Sequence, residues 1–266
     1  MRLTLRFAGL ATLTCTTVLC AAFLSVGVPS TSAAWSPSTF FALPVDIAVS
    51  GSHAWVVNNY ESLKSPLANS VTELNVSNGS LVRVISLTHI VGGLHAPNSI
   101  AASGAHVWVT DLNRVIELNA SNGSVVRVIK AKPQLHGMDP APLFAITASG
   151  TKVWVANLNS VIEINASNGS VERVINAKAD KFSMPFGIVA GGSHVWVMNN
   201  VPGDRITELN ASNGSLVRVL NAKADAFDTS SAVYAFDAIH VWVVNIQNNS
   251  VTELNASNGS LVRVIK

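Results

Sequence analysis

Val251-Thr252-Glu253-Leu254-Asn255-Ala256-Ser257-Asn258-Gly259-Ser260-Leu261-Val262-Arg263-Val264-Ile265 reads as two strands joined by a turn, and it is the last of five near-copies in the chain. The alternation from Val251 to Asn255 and the β-branched run from Leu261 to Ile265 are strand patterns. The Asn-Gly pair between them accepts the positive φ that a tight hairpin demands. Equivalent pairs begin at Asn78, Asn122, Asn168 and Asn213, so the five turns are 44, 46, 45 and 45 residues apart. A period in that range, filled with strands, is the mark of a β-propeller blade.

Working outward through the fourth unit gives the other strands. Phe186-Gly187-Ile188-Val189-Ala190 and its counterparts Ile100-Ala101-Ala102 and Phe144-Ala145-Ile146 are short and rich in small residues, which suits the innermost strand, where blades converge. His194-Val195-Trp196-Val197-Met198-Asn199 has the composition of a fully buried second strand, and Ile206-Thr207-Glu208-Leu209-Asn210 alternates as a third. Leu216-Val217-Arg218-Val219-Leu220 is the outermost, with an arginine that breaks up an exposed edge. The expectation is an all-β propeller of four-stranded antiparallel blades, five in number, although six- and seven-bladed forms are common, and a truncated gene and completion by a second molecule are the alternatives. A three-residue loop such as Ser212-Asn213-Gly214, with the glycine as a bulge, sets Glu208 opposite Arg218; a two-residue loop would put them on opposite faces.

These residues resemble the YVTN-type β-propeller repeat. Its Val-Tyr-Val-Thr-Asn strand is similar to Ala54-Trp55-Val56-Val57-Asn58, Val107-Trp108-Val109-Thr110-Asp111, Val153-Trp154-Val155-Ala156-Asn157, Val195-Trp196-Val197-Met198-Asn199 and Val241-Trp242-Val243-Val244-Asn245. Its Val-x-Val-Ile-Asp-x-x-Thr-Gly-Lys-Val-Val hairpin is similar to residues 251–262. Trp stands for Tyr, Asn for the Asp before the turn and Ser for the Lys after it. The resemblance covers Pro44 to Lys266 and implies a propeller; its relatives include surface proteins, nucleic-acid binders and ligand binders, so it implies no one activity.

Residues 1–34 read as an export signal: Arg2 and Arg6, the uncharged run from Phe7 to Val28, then Pro29-Ser30-Thr31-Ser32-Ala33-Ala34 with cleavage after Ala33 or Ala34. An uncleaved membrane anchor is the alternative; a lipid on Cys20 is disfavoured by Leu19. A secreted or cell-surface location follows. Both cysteines, Cys15 and Cys20, fall in the signal, so the exported chain has no disulfide and no thiolate metal site. Residues 35–43 form a lead segment able to add one strand to the last blade, and residues 44–266 hold the repeats, at about 44–96, 97–141, 142–183, 184–229 and 230–266. Without Arg2 and Arg6 the basic and acidic residues balance, which argues against a polyanion or nucleic-acid partner.

A residue present in every unit is explained by the fold. Trp55, Trp108, Trp154, Trp196 and Trp242 fill the wedges between blades, with sugar-stacking platforms as the competing reading. His53, His106, His194 and His240, with Lys152 in the remaining unit, are read as strand-end residues facing water, too far apart for one metal ion. Glu73, Glu117, Glu163, Glu208 and Glu253 face Arg83, Arg127, Arg173, Arg218 and Arg263 across their hairpins, ion pairs worth about 0.2–1 kcal/mol each. Eleven Asn-x-Ser triplets fit turn chemistry, with glycan acceptors as the other reading.

Unit-specific residues point elsewhere. Tyr60, Glu61, Lys64, Arg114, Asp204 and Arg205 lie between second and third strands; His89, His95, His136, Met138 and Asp139 lie between an outer strand and the next inner one. Both loop sets open on one rim, where function is usually grafted. Tyr60, Glu61, Lys64, His89, His95, His136 and Asp139 are therefore the candidate ligand-binding residues, for a protein, cell-wall polymer or small-molecule ligand. No catalytic set, metal-ligand spacing or cofactor motif stands out, and oligomeric state is left open. Non-catalytic binding leads; a lyase or hydrolase with a metal or acid-base site at His89, His95, His136 and Asp139 is the alternative.

Overall fold

The computed structural model describes residues 40–59, 67–90, 96–130, 142–158, 160–176, 184–199, 205–221, 227, 234–237 and 239–266. Residues 1–34, expected from the sequence to be an export signal, lie outside them. Twenty strands form five antiparallel four-stranded sheets, each with its strands in chain order. The first blade is β1 (Pro44–Ser50), β2 (His53–Asn58), β3 (Ser70–Asn75) and β4 (Leu81–Ser86). The second is β5 (Pro97–Ser103), β6 (His106–Asp111), β7 (Arg114–Asn119) and β8 (Val125–Lys130), and the third β9 (Leu143–Ser149), β10 (Lys152–Asn157), β11 (Ser160–Asn165) and β12 (Val171–Asn176). The fourth is β13 (Pro185–Gly191), β14 (His194–Asn199), β15 (Arg205–Asn210) and β16 (Leu216–Asn221); the fifth is β17 (Tyr234–Phe236), β18 (His240–Asn245), β19 (Ser250–Asn255) and β20 (Leu261–Ile265). Inner strands of successive blades pack together, β1 on β5, β5 on β9, β9 on β13 and β13 on β17. The described residues contain no helix. The protein is a five-bladed, all-β propeller.

The core lies between blades, because each sheet offers two apolar faces by strand alternation. At the first junction, Trp55, Val57, Val71 and Leu87 of one blade meet Ile100, Val107, Val109, Ile116 and Leu118 of the next. The other junctions repeat this with their own tryptophan on the trailing face. Trp55, Trp108, Trp154 and Trp196 are 0–2% exposed. Buried that deeply, they are packing residues and offer no face to a sugar. Where β17 brings bulky Tyr234 and Phe236 to the axis, β13 answers with glycine: a Cβ on Gly187 would sit 2.6 Å from the Tyr234 ring.

The hairpin register carries a correction. Glu208 does face Arg218, as Glu73 faces Arg83, Glu117 Arg127, Glu163 Arg173 and Glu253 Arg263. The loop, however, has four residues. Asn210 N–H donates to Ser215 O and Gly214 N–H to Asn210 O, closing the turn one residue wider than expected. Left alone, that turn would set Val217 opposite Glu208; a bulge in the outer strand after Leu216 restores the charge pairing. The Asn210 side chain accepts from both the amide and the hydroxyl of Ser212, and Asn75, Asn119, Asn165 and Asn255 do the same. These Asn-x-Ser triplets are thus built into turns.

The lead segment is corrected too. Its described residues attach to the first blade: Ala42 N–H donates to the Asn58 side chain, Thr72 Oγ1 to Phe40 O and Asn59 N–H to Leu43 O. Among the described residues, the last blade consists of β17–β20.

Candidate functional site

Antiparallel strands send all turns of one kind to the same end of the blades. At one end, the connections 51–52, 104–105, 150–151 and 192–193 are minimal and the β3–β4, β7–β8, β11–β12, β15–β16 and β19–β20 turns are near-identical. The opposite end is irregular. There the second-to-third-strand connections run over 59–69, 112–113, 158–159, 200–204 and 246–249, and the outer-to-inner ones over 87–96, 131–142, 177–184 and 222–233.

The irregular end rests on a rigid base. The last residue of each second strand is buried there, Asn58, Asp111, Asn157, Asn199 or Asn245, at 0–1% exposure. Asn58 donates to Ser70 Oγ and Thr72 Oγ1, and Asn245 to Ser250 Oγ and Thr252 Oγ1, clasping the third strand to the second. Asn199 donates to Thr207 Oγ1 and Arg205 O, and Asn157 accepts from Ser160 N–H and Oγ. Asp111 takes this position in the second blade; it accepts from Ala96 N–H and holds the largely buried Arg114 at 3.2 Å. The final Asn of the repeat motif is therefore a buried clasp under the loops.

Of the candidate binding residues, His89 is placed, exposed on the connection after β4. Tyr60, Glu61, Lys64, His95, His136 and Asp139 lie outside the described residues, as do Met138 and Asp204. Arg114 and Arg205 begin β7 and β15 at this end, the first in its clasp and the second exposed. Among the described residues no three His, Cys, Asp or Glu side chains gather as a metal site.

The recurrent histidines are not free strand ends, which corrects the sequence reading. Glu73, Glu117 and Glu208 are wholly buried, each with one oxygen on a histidine Nδ1 (His53 2.7 Å, His106 2.7 Å, His194 2.5 Å) and the other on an arginine Nε (Arg83 2.7 Å, Arg127 2.9 Å, Arg218 2.6 Å). Lys152 replaces histidine beside Glu163, with Arg173 at 2.6 Å. His53, His106 and His194 stack on their tryptophans, and Lys152 sits over Trp154. The arginines also cross the junctions: Arg83 donates to Ser121 O, Arg127 to Ser167 O and Arg218 to Ser257 O. Each three-membered clamp thus locks a hairpin, a tryptophan and the neighbouring turn. The fifth departs, with His240 edge-on to Trp242, its Nδ1 on Asp237 and its Nε2 3.3 Å from Glu253. The Asp237 carboxyl is held well below the usual range, first by His240 and then by the Ile239 amide.

Sequence reasoning missed Asp46. It stands on β1 where β5, β9 and β13 place Ser99, Ala145 and Gly187, each just before an isoleucine; that lone acid was the available signal. Its Oδ2 accepts from Ser99 Oγ at 2.7 Å and Ile100 N–H at 2.9 Å, and Ser99 Oγ accepts in turn from Ile146 N–H. Burial pushes its carboxyl up, while these bonds and Ile47 N–H pull it part of the way back.

Solved structures share the architecture. A Kuenenia stuttgartiensis hydrazine synthase chain matches at TM-score 0.61 and 15% identity, covering 88% of this chain and 68% of that one. A chain of a nidogen/laminin complex matches at TM-score 0.57 and 13% identity, covering 84% and 80%, and BamB from Moraxella catarrhalis at 0.50 and 12%, covering 83% and 62%. At these identities the likeness is one of fold. No protein-family model and no curated protein matches the chain.

Proposed function

We propose that this protein is an exported, YVTN-type propeller that acts by non-catalytic binding of a protein, cell-wall polymer or small ligand through its irregular rim. The observation that carries the reading is the division between the two ends of the blades. On the turn rim the serial polar side chains are spent on the fold: asparagines on their serines, arginines on glutamates and on neighbouring carbonyls. On the other rim a buried Asn/Asp base carries connections that differ from blade to blade. A rigid scaffold under variable loops is the usual architecture of a binding surface. The stretches of chain that link the strands contain Tyr60, Glu61, Lys64, His89, His95, His136 and Asp139, which are aromatic, cationic and acidic residue types. Residues 1–34 provide the export, and the chain's location is secreted or cell-surface.

Co-sedimentation of the purified exported form with insoluble cell-wall polysaccharide, alongside the Tyr60→Ala/His95→Ala/His136→Ala variant, tests the binding. The variant is expected to lose retention at an unchanged melting temperature. Stoichiometric zinc or manganese that disappears when His95 and His136 are replaced together would instead establish a metal-dependent rim.

A further inference from the structure

Among the described residues four packed junctions join the five blades, and they share most of one design. The trailing face of each blade offers a tryptophan, aliphatic side chains from strands two, three and four, and an arginine. The leading face of the next offers an isoleucine from its inner strand at the first three junctions and Tyr234 at the fourth, with two more aliphatic rows and a turn that receives the arginine. The first blade's leading face and the fifth blade's trailing face carry the same residues, yet stand open. Ile47 is 59% exposed, whereas its equivalents Ile100, Ile146 and Ile188 are 4–6%. Leu74 is half-buried, whereas Leu118, Ile164, Leu209 and Leu254 are 0–1% exposed. On the fifth blade Ile265 is 45% exposed against 7% for Ile129 and Ile175, and the Arg263 side chain 61% against 27–32% for the four other arginines. Trp242 is half-buried where the other four are covered. Gly79 has no atom near its Cβ position, while that of Gly123 would meet Ile85 and Arg83 of the preceding blade.

We infer that the two open faces are a docking pair, and that the trailing face of the fifth blade takes the leading face of the first blade of a second copy of this chain. The chain itself states the complementarity three times in full, and a fourth time with Tyr234 in the isoleucine's place. Trp242, Val244, Val251 and Ile265 match the set formed by Trp55, Val57, Val71 and Ile85, and Ile47, Val56 and Leu74 match Ile100, Val109 and Leu118. An open depression of about 390 Å3 lined by Phe41, Pro44, Val45, Asp46, Ile47 and Val56 marks the receiving side. The Arg263 guanidinium lies where its equivalents donate to a turn carbonyl of the next blade, and the Ser77-Asn78-Gly79 turn of a second copy offers one. The contact is heterologous, so one copy's tail face meets another's head face.

Sedimentation velocity over a concentration series tests this with Ile47→Asp and Ile265→Asp, one on each face. Both side chains are exposed within one copy, so each substitution should leave circular dichroism and the melting temperature of the dilute protein unchanged. The unmodified chain is expected to self-associate as concentration rises, each variant alone to stay monomeric, and an equimolar mixture to form pairs from the one intact face on each. A unmodified chain that stays monomeric at every concentration would overturn the inference, as would homodimers of either variant. So would a monomer whose melting temperature falls in both variants, because the two faces would then be joined within one chain.

Discussion

Replacing Trp154 by alanine is the sharpest test of where the stability of this propeller resides. The indole is 0% exposed between the third and fourth blades, among Val161, Ile175, Ile188, Val195, Val197 and Leu209. A buried tryptophan covers about 150–250 Å2, which at about 25 cal/mol per Å2 amounts to about 4–6 kcal/mol. Large-to-small substitutions at closed sites cost about 3–5 kcal/mol, so about 4 kcal/mol is expected for Trp154→Ala. The same change at Trp242 starts from a half-buried ring and should cost about half as much, about 2 kcal/mol, in dilute protein. Urea unfolding followed by far-ultraviolet circular dichroism measures both. Blades couple mainly to their neighbours, so loss of a central junction should also lower the cooperativity of the transition. A Trp154→Ala cost below about 1 kcal/mol, or equal costs at the two positions, would refute the account of the junctions as the core.

Two further outcomes follow from polar groups. Glu208→Ala leaves Arg218 and His194 without their shared carboxylate; both reach water in part, so the loss should be about 2 kcal/mol rather than the full cost of a buried orphan charge, read by urea midpoint at constant slope. For Asp46 the folded carboxyl titrates above its unfolded value near 3.8, so its favourable contribution is complete below that value and is lost as pH rises through the folded one. The stability of Asp46→Asn relative to the unmodified chain should therefore improve between pH 4 and pH 7, and paired melts at the two pH values would show the opposite slope if burial did not govern this group.

Strand order and the glutamate–arginine pairing were legible because they depend on local pattern. The Asn-Gly spacing gave the period, and the wish to pair Glu208 with Arg218 gave the correct facing residues. The means was not legible: a four-residue turn corrected by an outer-strand bulge leaves the same facing pairs as a three-residue turn. His194 looked like a strand end because nothing in the local pattern says that Glu208 is buried and that one of its oxygens meets the ring nitrogen. The clasp at Asn199 was hidden for a similar reason, since its partner Thr207 lies across a connection whose length varies. Asp46 was visible only as an exception among inner strands, and exceptions in a repeat are easily passed over when the repeat itself is so regular. His89 is the one candidate binding residue whose place is described, and the others were argued from unit-specific chemistry alone.

Because every blade meets its neighbour through the same two faces, a gene encoding this chain can change its number of units by unequal crossing-over without any junction having to be reinvented. The inserted unit arrives with a tryptophan-bearing side and an isoleucine-bearing side already matched to whatever flanks it. Selection can then act on the new irregular loops while the scaffold absorbs the addition, so the breadth of the loop-bearing surface becomes a heritable quantity that moves in steps of one blade.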